Sequence, residues 1–171
     1  MARGVPSADP SPSAWPRGWL DYEEYKLVHS RYLAILYDEG VIATDDLIFE
    51  EVYDETTGAI AQVGLSGSVT CACGAKVRVS KWMETNLREG GGFDVRTVYY
   101  QYHAWWPKLG KKRQQALVRY DQAHGSEPHR HYFDPTGRQI SHERLTLDTM
   151  PRLDAVIREA AALVTAFAES D

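Results

Sequence analysis

The chain has 171 residues, of which 43% are hydrophobic and 25% are charged, and its formal net charge is −5. This composition is typical of one folded domain and excludes a disordered chain, and no apolar run approaches the ~20 residues that cross a bilayer. Because the first residues also lack the apolar centre of a signal peptide, we expect a cytoplasmic protein that does not enter a membrane.

The chain begins with a segment rich in Pro, Ser and Ala, residues 1–18, which we expect to be a flexible leader. Residues 19–171 are then predicted to form a single domain. Its first part, residues 20–39, carries apolar side chains at the spacing of one helical face, and Gly40 follows as a stop signal. The predicted apolar face of this helix consists of Tyr25, Val28, Tyr32, Ile35 and Leu36.

The middle of the chain predicts β-structure. Residues 47–53 are expected to form a short strand, and two β-rich runs joined at Cys73 and Gly74 are expected to form a hairpin. The two cysteines, Cys71 and Cys73, are too close in sequence for an unstrained disulfide, and we expect both to be buried. The next features are a glycine loop, an aromatic strand, a basic turn and a returning strand, at residues 90–92, 97–106, 107–114 and 115–121.

The C-terminal part predicts a second amphipathic helix, which Asp148 or Thr149 could cap and which has Pro151 in its first turn. Its predicted apolar face consists of Leu153, Val156, Ile157, Ala160, Val164 and Phe167. Strands in the middle and helices at both ends predict an α+β domain. We expect an antiparallel sheet meander of four or five strands, flanked by an N-terminal and a C-terminal amphipathic helix that cover one face.

Charge is unevenly distributed along the chain. Residues 21–57 contain eleven acidic side chains against Lys26 and Arg31, whereas residues 96–138 contain eight basic side chains against three acidic ones. The second stretch indicates a basic surface suited to an anionic substrate, although an ordinary solvated surface is an equally good explanation.

Histidines are concentrated in one region, since five of the six lie between residues 103 and 142. In the returning strand, the period of two places Arg119 and Asp121 on one face. Pro128 favours an extended path, in which His129 and His131 point to the same side. We therefore expect both histidines to lie within about 10 Å of Arg119 and Asp121.

Three short motifs occur in this region, YQYH at residues 100–103, RYDQAH at 119–124 and PHRH at 128–131. In this order they resemble the TumE-like toxins of prokaryotic toxin-antitoxin modules, and the similarity covers roughly residues 60–165. The resemblance implies a toxin that acts on RNA or on translation. It also implies a cognate antitoxin, typically a helix-turn-helix DNA-binding protein, that neutralises the toxin by binding it.

The chemistry that fits these residues is cleavage of RNA without a metal or other cofactor. Such a reaction needs a base for the 2′-hydroxyl, an acid for the leaving oxygen and a cation for the phosphorane, roles that histidine and arginine can fill. If the basic turn joins its two strands as a hairpin, we also expect His103 or Tyr102 to lie near Arg119 and Asp121. The candidate catalytic residues are His129, His131, Arg119, Asp121, His124 and His103. The candidate nucleic-acid-binding residues are Lys108, Lys111, Lys112, Arg113, Arg130 and Tyr102.

Three other interpretations remain open. One is a site for zinc, iron, nickel or manganese, whose ligands would be His129 and His131 with His124, Asp121 or Asp134. Another is RNA binding without cleavage, by the basic turn and an aromatic platform of Tyr99, Tyr100, Tyr102, Trp105 and Trp106. The third is a structural role, in which Arg119 pairs with Asp121 and the histidines form hydrogen bonds with loop carbonyls.

Overall fold

One antiparallel sheet and two helices make up the fold, which the computed structural model describes for residues 18–107, 114–122, 127–146 and 149–169. In chain order the elements are β1 (Leu20–Asp21), α1 (Tyr22–Asp38), β2 (Ile42–Asp45), β3 (Ile48–Tyr53), β4 (Ile60–Cys71), β5 (Lys76–Leu87), β6 (Phe93–Trp106), β7 (Gln115–Gln122), β8 (His129–Phe133), β9 (Gln139–Arg144) and α2 (Leu153–Ala168). The sheet has the order β2-β4-β5-β6-β7-β8-β9, while β3 also pairs with β4 and β1 with β6.

The predicted α+β class is confirmed, but the predicted number of strands is too small. The described residues form nine strands rather than four or five. The predicted strands and hairpin are present as β3 to β7, and the additional strands are short or irregular in pattern. Strands β8 and β9 do not alternate apolar and polar residues, so pairing with their neighbours keeps them extended.

Helix α1 begins after Asp21, whose Oδ1 accepts a hydrogen bond from the Glu24 backbone N–H at 2.9 Å. It ends just before Gly40, whose φ of 70° suits the left-handed conformation that commonly follows a helix. The predicted helix is confirmed, but its buried face is different, because Ile35 is 48% exposed and His29 is buried. The buried residues of α1 are Tyr22, Tyr25, His29 and Leu36.

Helix α2 begins later than predicted. Its N-cap residue is Arg152, which makes no side-chain capping bond, so the predicted cap at Thr149 is wrong. Thr149 instead closes a turn, in which its Oγ1 accepts a hydrogen bond from the Thr146 backbone N–H at 2.9 Å. The alternative cap, Asp148, lies outside the described residues. The predicted apolar face is confirmed, and its buried residues are Leu153, Val156, Ile157, Ala160 and Val164.

The two faces of the sheet differ in chemistry because successive side chains of a strand point to opposite sides. One face packs against both helices and forms the main core. From the sheet this core includes Val69, Val77, Val79, Tyr100, Tyr102, Ala104, Val118 and Tyr120, and from the helices Leu36, Val156, Ile157 and Ala160. The other face, which we call the open face, carries Ser68, Arg78, Gln101, His103, Arg119 and Asp121. In the described part of the chain, the helix residues of the core all lie on the side away from it.

Two further predictions concern the cysteines and the first residues. Cys71 is buried as predicted, whereas Cys73 is exposed in the turn between β4 and β5, so that prediction is wrong; both thiols are free. Residues 1–17, which form most of the predicted leader, lie outside the described residues. Of the helices that the structure describes, none is both long enough and apolar enough to span a membrane.

Candidate active site

The candidate active site is a row of arginine and histidine side chains across five strands of the open face. Strand pairing aligns Arg78 with His103, His103 with Arg119, Arg119 with His131, and His131 with His142. Neighbouring strands are about 4.8 Å apart, so side chains at aligned positions are immediate neighbours. The sheet therefore brings residues that are distant in sequence into one line of cationic and titratable groups.

Asp121 lies next to this row, and its carboxylate contacts Arg119 and His131 of the row as well as His129. The Asp121 side chain is only 4% exposed, and its Oδ2 lies 2.6 Å from Arg119 Nε. Its Oδ1 lies 2.6 Å from His129 Nε2, and His131 Nε2 lies 3.4 Å from Oδ2. The predicted clustering of the two histidines with Arg119 and Asp121 is therefore confirmed.

The contact between Arg119 and Asp121 is an ion pair with poor hydrogen-bond geometry. Although the two atoms are 2.6 Å apart, Arg119 Nε has no aligned hydrogen-bond partner among the described residues. The Arg119 side chain is also 41% exposed. The carboxylate thus holds one edge of the guanidinium, while the other N–H groups can bind an anion from solvent.

His129 has an oxygen atom beside each ring nitrogen. Nε2 faces the Asp121 carboxylate, and Nδ1 lies 3.1 Å from the Glu127 carbonyl oxygen. Both oxygens are acceptors, so both contacts are hydrogen bonds only when the ring carries two protons. The surroundings of His129 therefore offer an acceptor to a proton on either ring nitrogen.

His131 lies in different surroundings from His129. Burial lowers the pKa of His131 below its usual value, and the charges of Arg119 and His129 lower it further, while Asp121 acts against them. Near pH 7 this imidazole is therefore neutral and can accept a proton. The His129 and His131 rings are adjacent, with centroids 4.8 Å apart.

His103 is a second neutral imidazole in the row. Burial lowers its pKa, and Arg119 and Arg78 on the two neighbouring strands lower it further. Its ring centroid lies 5.6 Å from that of Trp105, which is on the same face. His103 therefore lies beside Arg119, as predicted, and between the two cations Arg119 and Arg78.

Two candidate RNA-binding residues lie on the helix-covered face. Tyr102 is only 3% exposed and belongs to the core. Arg130 forms an ion pair with Glu159 of α2, and its guanidinium lies 4.2 Å from the Tyr132 ring centroid. Tyr102 and Arg130 therefore lie on the face opposite the one that carries Arg119 and His131.

The remaining predicted residues fall outside the described part of the chain. They are His124 and the basic-turn residues Lys108, Lys111, Lys112 and Arg113. The predicted aromatic platform is largely buried, because Tyr100, Tyr102 and Trp105 are all buried residues.

Sequence reasoning missed Arg78 and His142 as members of the site. Arg78 alternates with buried valines in its strand, which places it on the polar face, but the pairing of β5 with β6 could not be known. His142 lies in β9, a strand without a recognisable pattern.

Asp121, His129 and His131 also have a geometry that could hold a metal ion. One potential ligand atom from each residue lies within 4.8 Å of the others. Two histidines and one carboxylate form a common shell for zinc or iron. However, the same carboxylate already contacts the Arg119 guanidinium, whose positive charge disfavours a cation there.

Comparison with known proteins gives no relative, since no family model, curated protein or solved structure matches the chain. The resemblance to TumE-like toxins therefore depends on the three sequence motifs alone.

Proposed function

We propose that this protein is a toxin similar to the TumE-like family and that it cleaves RNA by histidine-based acid-base catalysis. The observation that carries the proposal is the placement of two adjacent histidines, His129 and His131, beside the Asp121 carboxylate and the exposed Arg119 guanidinium. His131 has a lowered pKa and favours the neutral ring, whereas His129 has an oxygen acceptor beside each of its ring nitrogens. Acid-base enzymes commonly hold two titratable groups in such different surroundings.

In the proposed reaction, the His131 ring, whose two nitrogens are buried in the free protein, turns toward the substrate. The neutral ring then takes the proton from the 2′-hydroxyl of the substrate ribose. The 2′-oxygen attacks the adjacent phosphorus, and the bond from phosphorus to the 5′-oxygen of the next nucleotide breaks. His129 gives a proton from Nδ1 to that leaving oxygen, which takes the place of the Glu127 carbonyl oxygen as the partner of this nitrogen. The products are a 2′,3′-cyclic phosphate and a 5′-hydroxyl, and proton exchange with water restores both histidines.

The other residues of the row bind and stabilise the phosphate. Arg119 donates to the oxygens that gain charge in the phosphorane. Arg78 and neutral His103 bind the neighbouring phosphate, since they extend the same line across β5 and β6. Asp121 is a positioning residue, because it orients His129 and Arg119 without contacting the substrate.

The basic turn between β6 and β7 is proposed to bind the RNA backbone beyond this row, through Lys108, Lys111, Lys112 and Arg113.

In keeping with the resemblance, we further propose a cytoplasmic toxin whose partner is a helix-turn-helix antitoxin. The open reading frame next to the gene tests this part, because an unrelated neighbour on both sides would oppose it.

The experiment for catalysis compares the parent chain with His129→Ala and His131→Ala on cellular RNA. We expect each variant to lose about 10²-fold or more in cleavage rate, the usual contribution of general acid-base catalysis. Arg138→Ala removes a cation from an exposed turn and serves as the control with an unchanged rate. Thermal midpoints separate catalysis from folding, since a purely structural role predicts unfolding of the histidine variants instead.

The second candidate function is metal-dependent catalysis, which the close grouping of Asp121, His129 and His131 favours. It predicts a bound ion in elemental analysis and loss of activity in a chelator. Full activity in excess chelator with no metal detected removes this candidate, whereas tightly bound metal with chelator-sensitive activity replaces the acid-base proposal.

A further inference from the structure

A polar pocket of about 300 Å³ lies on the open face, at the Arg78 end of the row of arginines and histidines. We call it the Trp105 pocket, and the lining residues that determine its chemistry are Asp46, Ser68, Thr70, Lys76, Arg78 and Trp105. Strand pairing forms its floor, because Ser68 is aligned with Arg78, and Lys76 with Trp105. Arg78 therefore belongs to both the row and the pocket.

Trp105 provides a buried donor at this pocket. The residue is 8% exposed, and its indole Nε1 has no hydrogen-bond partner among the described residues. A buried N–H without a partner costs free energy, and an acceptor that enters the pocket would remove that cost. The Trp105 ring is also close to the row, since its centroid lies 5.6 Å from that of His103 and 5.8 Å from Arg78 Cζ.

The acceptor of the pocket is the Asp46 carboxylate, which contacts with β4 hold in place. Its Oδ1 accepts a hydrogen bond from the Ser68 backbone N–H, and its own backbone N–H donates to the Ser68 carbonyl at 3.0 Å. Gly67 permits this approach, because a Cβ atom there would lie 2.6 Å from the Asp46 carbonyl oxygen. Asp46 is exposed, and a carboxylate has about four acceptor positions, so most of them remain for a ligand. The other carboxylate of the pocket, Asp45, already accepts a hydrogen bond at each oxygen.

We propose that the Trp105 pocket binds a guanine base of the RNA near the cleaved bond, an inference that rests on the proposed binding of RNA at the open face. Guanine presents two neighbouring donors, N1–H and the N2 amino group, and two acceptors, O6 and N7. Asp46 accepts from the donors, and Lys76 Nζ and Trp105 Nε1 donate to the acceptors. Adenine and cytosine lack a ring N–H on this edge and uracil lacks the amino group, so guanine alone offers both donors to the carboxylate.

The place of the pocket along the RNA follows from the spacing of the strands. Arg78 in β5 is three strands away from His131 in β8, which is roughly 14 Å at about 4.8 Å per strand. An RNA strand that follows the row from His131 therefore reaches the pocket close to the cleaved bond, with a phosphate bound by Arg78. Cleavage of RNA should accordingly be fastest where guanine stands at one fixed position near that bond.

The test measures binding of the full chain to short oligonucleotides of 2′-fluoro uridine, which lack the attacking 2′-hydroxyl and cannot be cleaved by the proposed reaction. Each carries one central guanine, adenine or hypoxanthine base. Fluorescence anisotropy should show guanine binding about 10-fold tighter than adenine, the discrimination expected of two well-placed hydrogen bonds. Hypoxanthine, which lacks the N2 amino group, should bind about 5-fold more weakly than guanine.

Variants assign this preference to the pocket. Asp46→Asn should bind guanine and hypoxanthine equally, because the amide replaces one acceptor oxygen with a donor while its remaining oxygen can still accept from Ser68. Glu50→Gln is a change of the same kind at an exposed residue of β3 outside the pocket, and it should keep the preference for guanine. Trp105→Phe removes Nε1 and decides the matter if Asp46→Asn does not fold. It should weaken guanine binding about 5-fold and leave adenine binding nearly unchanged.

The use of oligonucleotides that cannot be cleaved separates the pocket from the proposed catalysis. A guanine preference that Asp46→Asn removes supports the pocket even if the protein cleaves no RNA, in which case the catalytic proposal alone fails. Equal binding of guanine and adenine, equal binding of guanine and hypoxanthine by the parent, or a preference that persists in Asp46→Asn would each overturn the pocket, whether or not RNA is cleaved. Failure to bind any of the oligonucleotides would overturn it as well.

Discussion

Asp121→Asn is the substitution that examines the site most closely, because it removes one negative charge and keeps the size of the side chain. The hydrogen bond with His129 is 2.6 Å long and both side chains are largely buried, so its loss costs about 1.5–3 kcal/mol. The Arg119 side chain is 41% exposed, so its ion pair contributes only about 0–1 kcal/mol. The sum is about 1.5–4 kcal/mol, or roughly 3–16 °C in the thermal midpoint for a chain of this size.

The same substitution should reduce RNA cleavage. Without the carboxylate, His129 and Arg119 both lose the charged group that holds them in position. We expect a rate about 10²-fold lower, measured at a temperature where the variant is fully folded. Urea unfolding followed by circular dichroism gives the change in the free energy of unfolding.

Asp38→Asn is the matched control, since Asp38 is exposed at the end of α1 and should change the free energy of unfolding by no more than about 0.5 kcal/mol. If Asp121→Asn were as stable and as active as this control, the reasoning about Asp121 would be refuted. If it were destabilised but cleaved RNA at the parent rate when folded, the cluster would have a structural role alone.

Three further predictions concern buried titratable groups and the cationic row. Burial lowers the pKa of His29 to about 4. Below pH ~6.5 the unfolded chain therefore binds more protons than the folded chain, and the free energy of unfolding falls as the pH drops toward 4. Urea unfolding should show that His29→Met avoids about 3 kcal/mol of this loss. Burial also lowers the pKa of Lys81 to about 7, so the parent gains stability as the pH rises from about 7 to about 10.5. Lys81→Met should be more stable than the parent at pH 7, with a difference that shrinks toward pH 10. Arg78→Ala should weaken RNA binding and reduce its salt slope by at most about one unit, whereas Arg138→Ala should not; equal slopes would exclude Arg78 from the RNA site.

The sequence predicts the helices well where periodicity alone decides the outcome. The stripe of Leu153, Val156, Ile157, Ala160 and Val164 in α2 is an example. In α1 the same reasoning selected Ile35, which is exposed, and ignored His29, which is buried, because a polar residue was not counted as part of the core. Which side of a helix is buried depends on the elements that pack against it. The sequence of the helix alone does not contain that information.

The candidate site was likewise predictable from the sequence only in part. The period of two places Arg119 with Asp121, and His129 with His131, on common faces without any knowledge of the fold. The row that also includes Arg78 and His142 depends on the register between strands. That register shifts at irregular positions, one of them between Ala104 and Trp105. A local pattern does not determine such shifts, so this part of the site required the structure.

The most direct test of the proposed function is cleavage of a DNA oligonucleotide pool that carries one ribonucleotide among random neighbours, by the full chain in excess chelator. We predict cleavage only on the 3′ side of the ribonucleotide, with 2′,3′-cyclic phosphate and 5′-hydroxyl ends, and at least about 10²-fold slower cleavage by His131→Ala. Mass spectrometry of the fragments identifies these ends. Cleavage at deoxyribonucleotides, cleavage only after addition of a divalent metal, or no cleavage at all would contradict acid-base catalysis by His129 and His131.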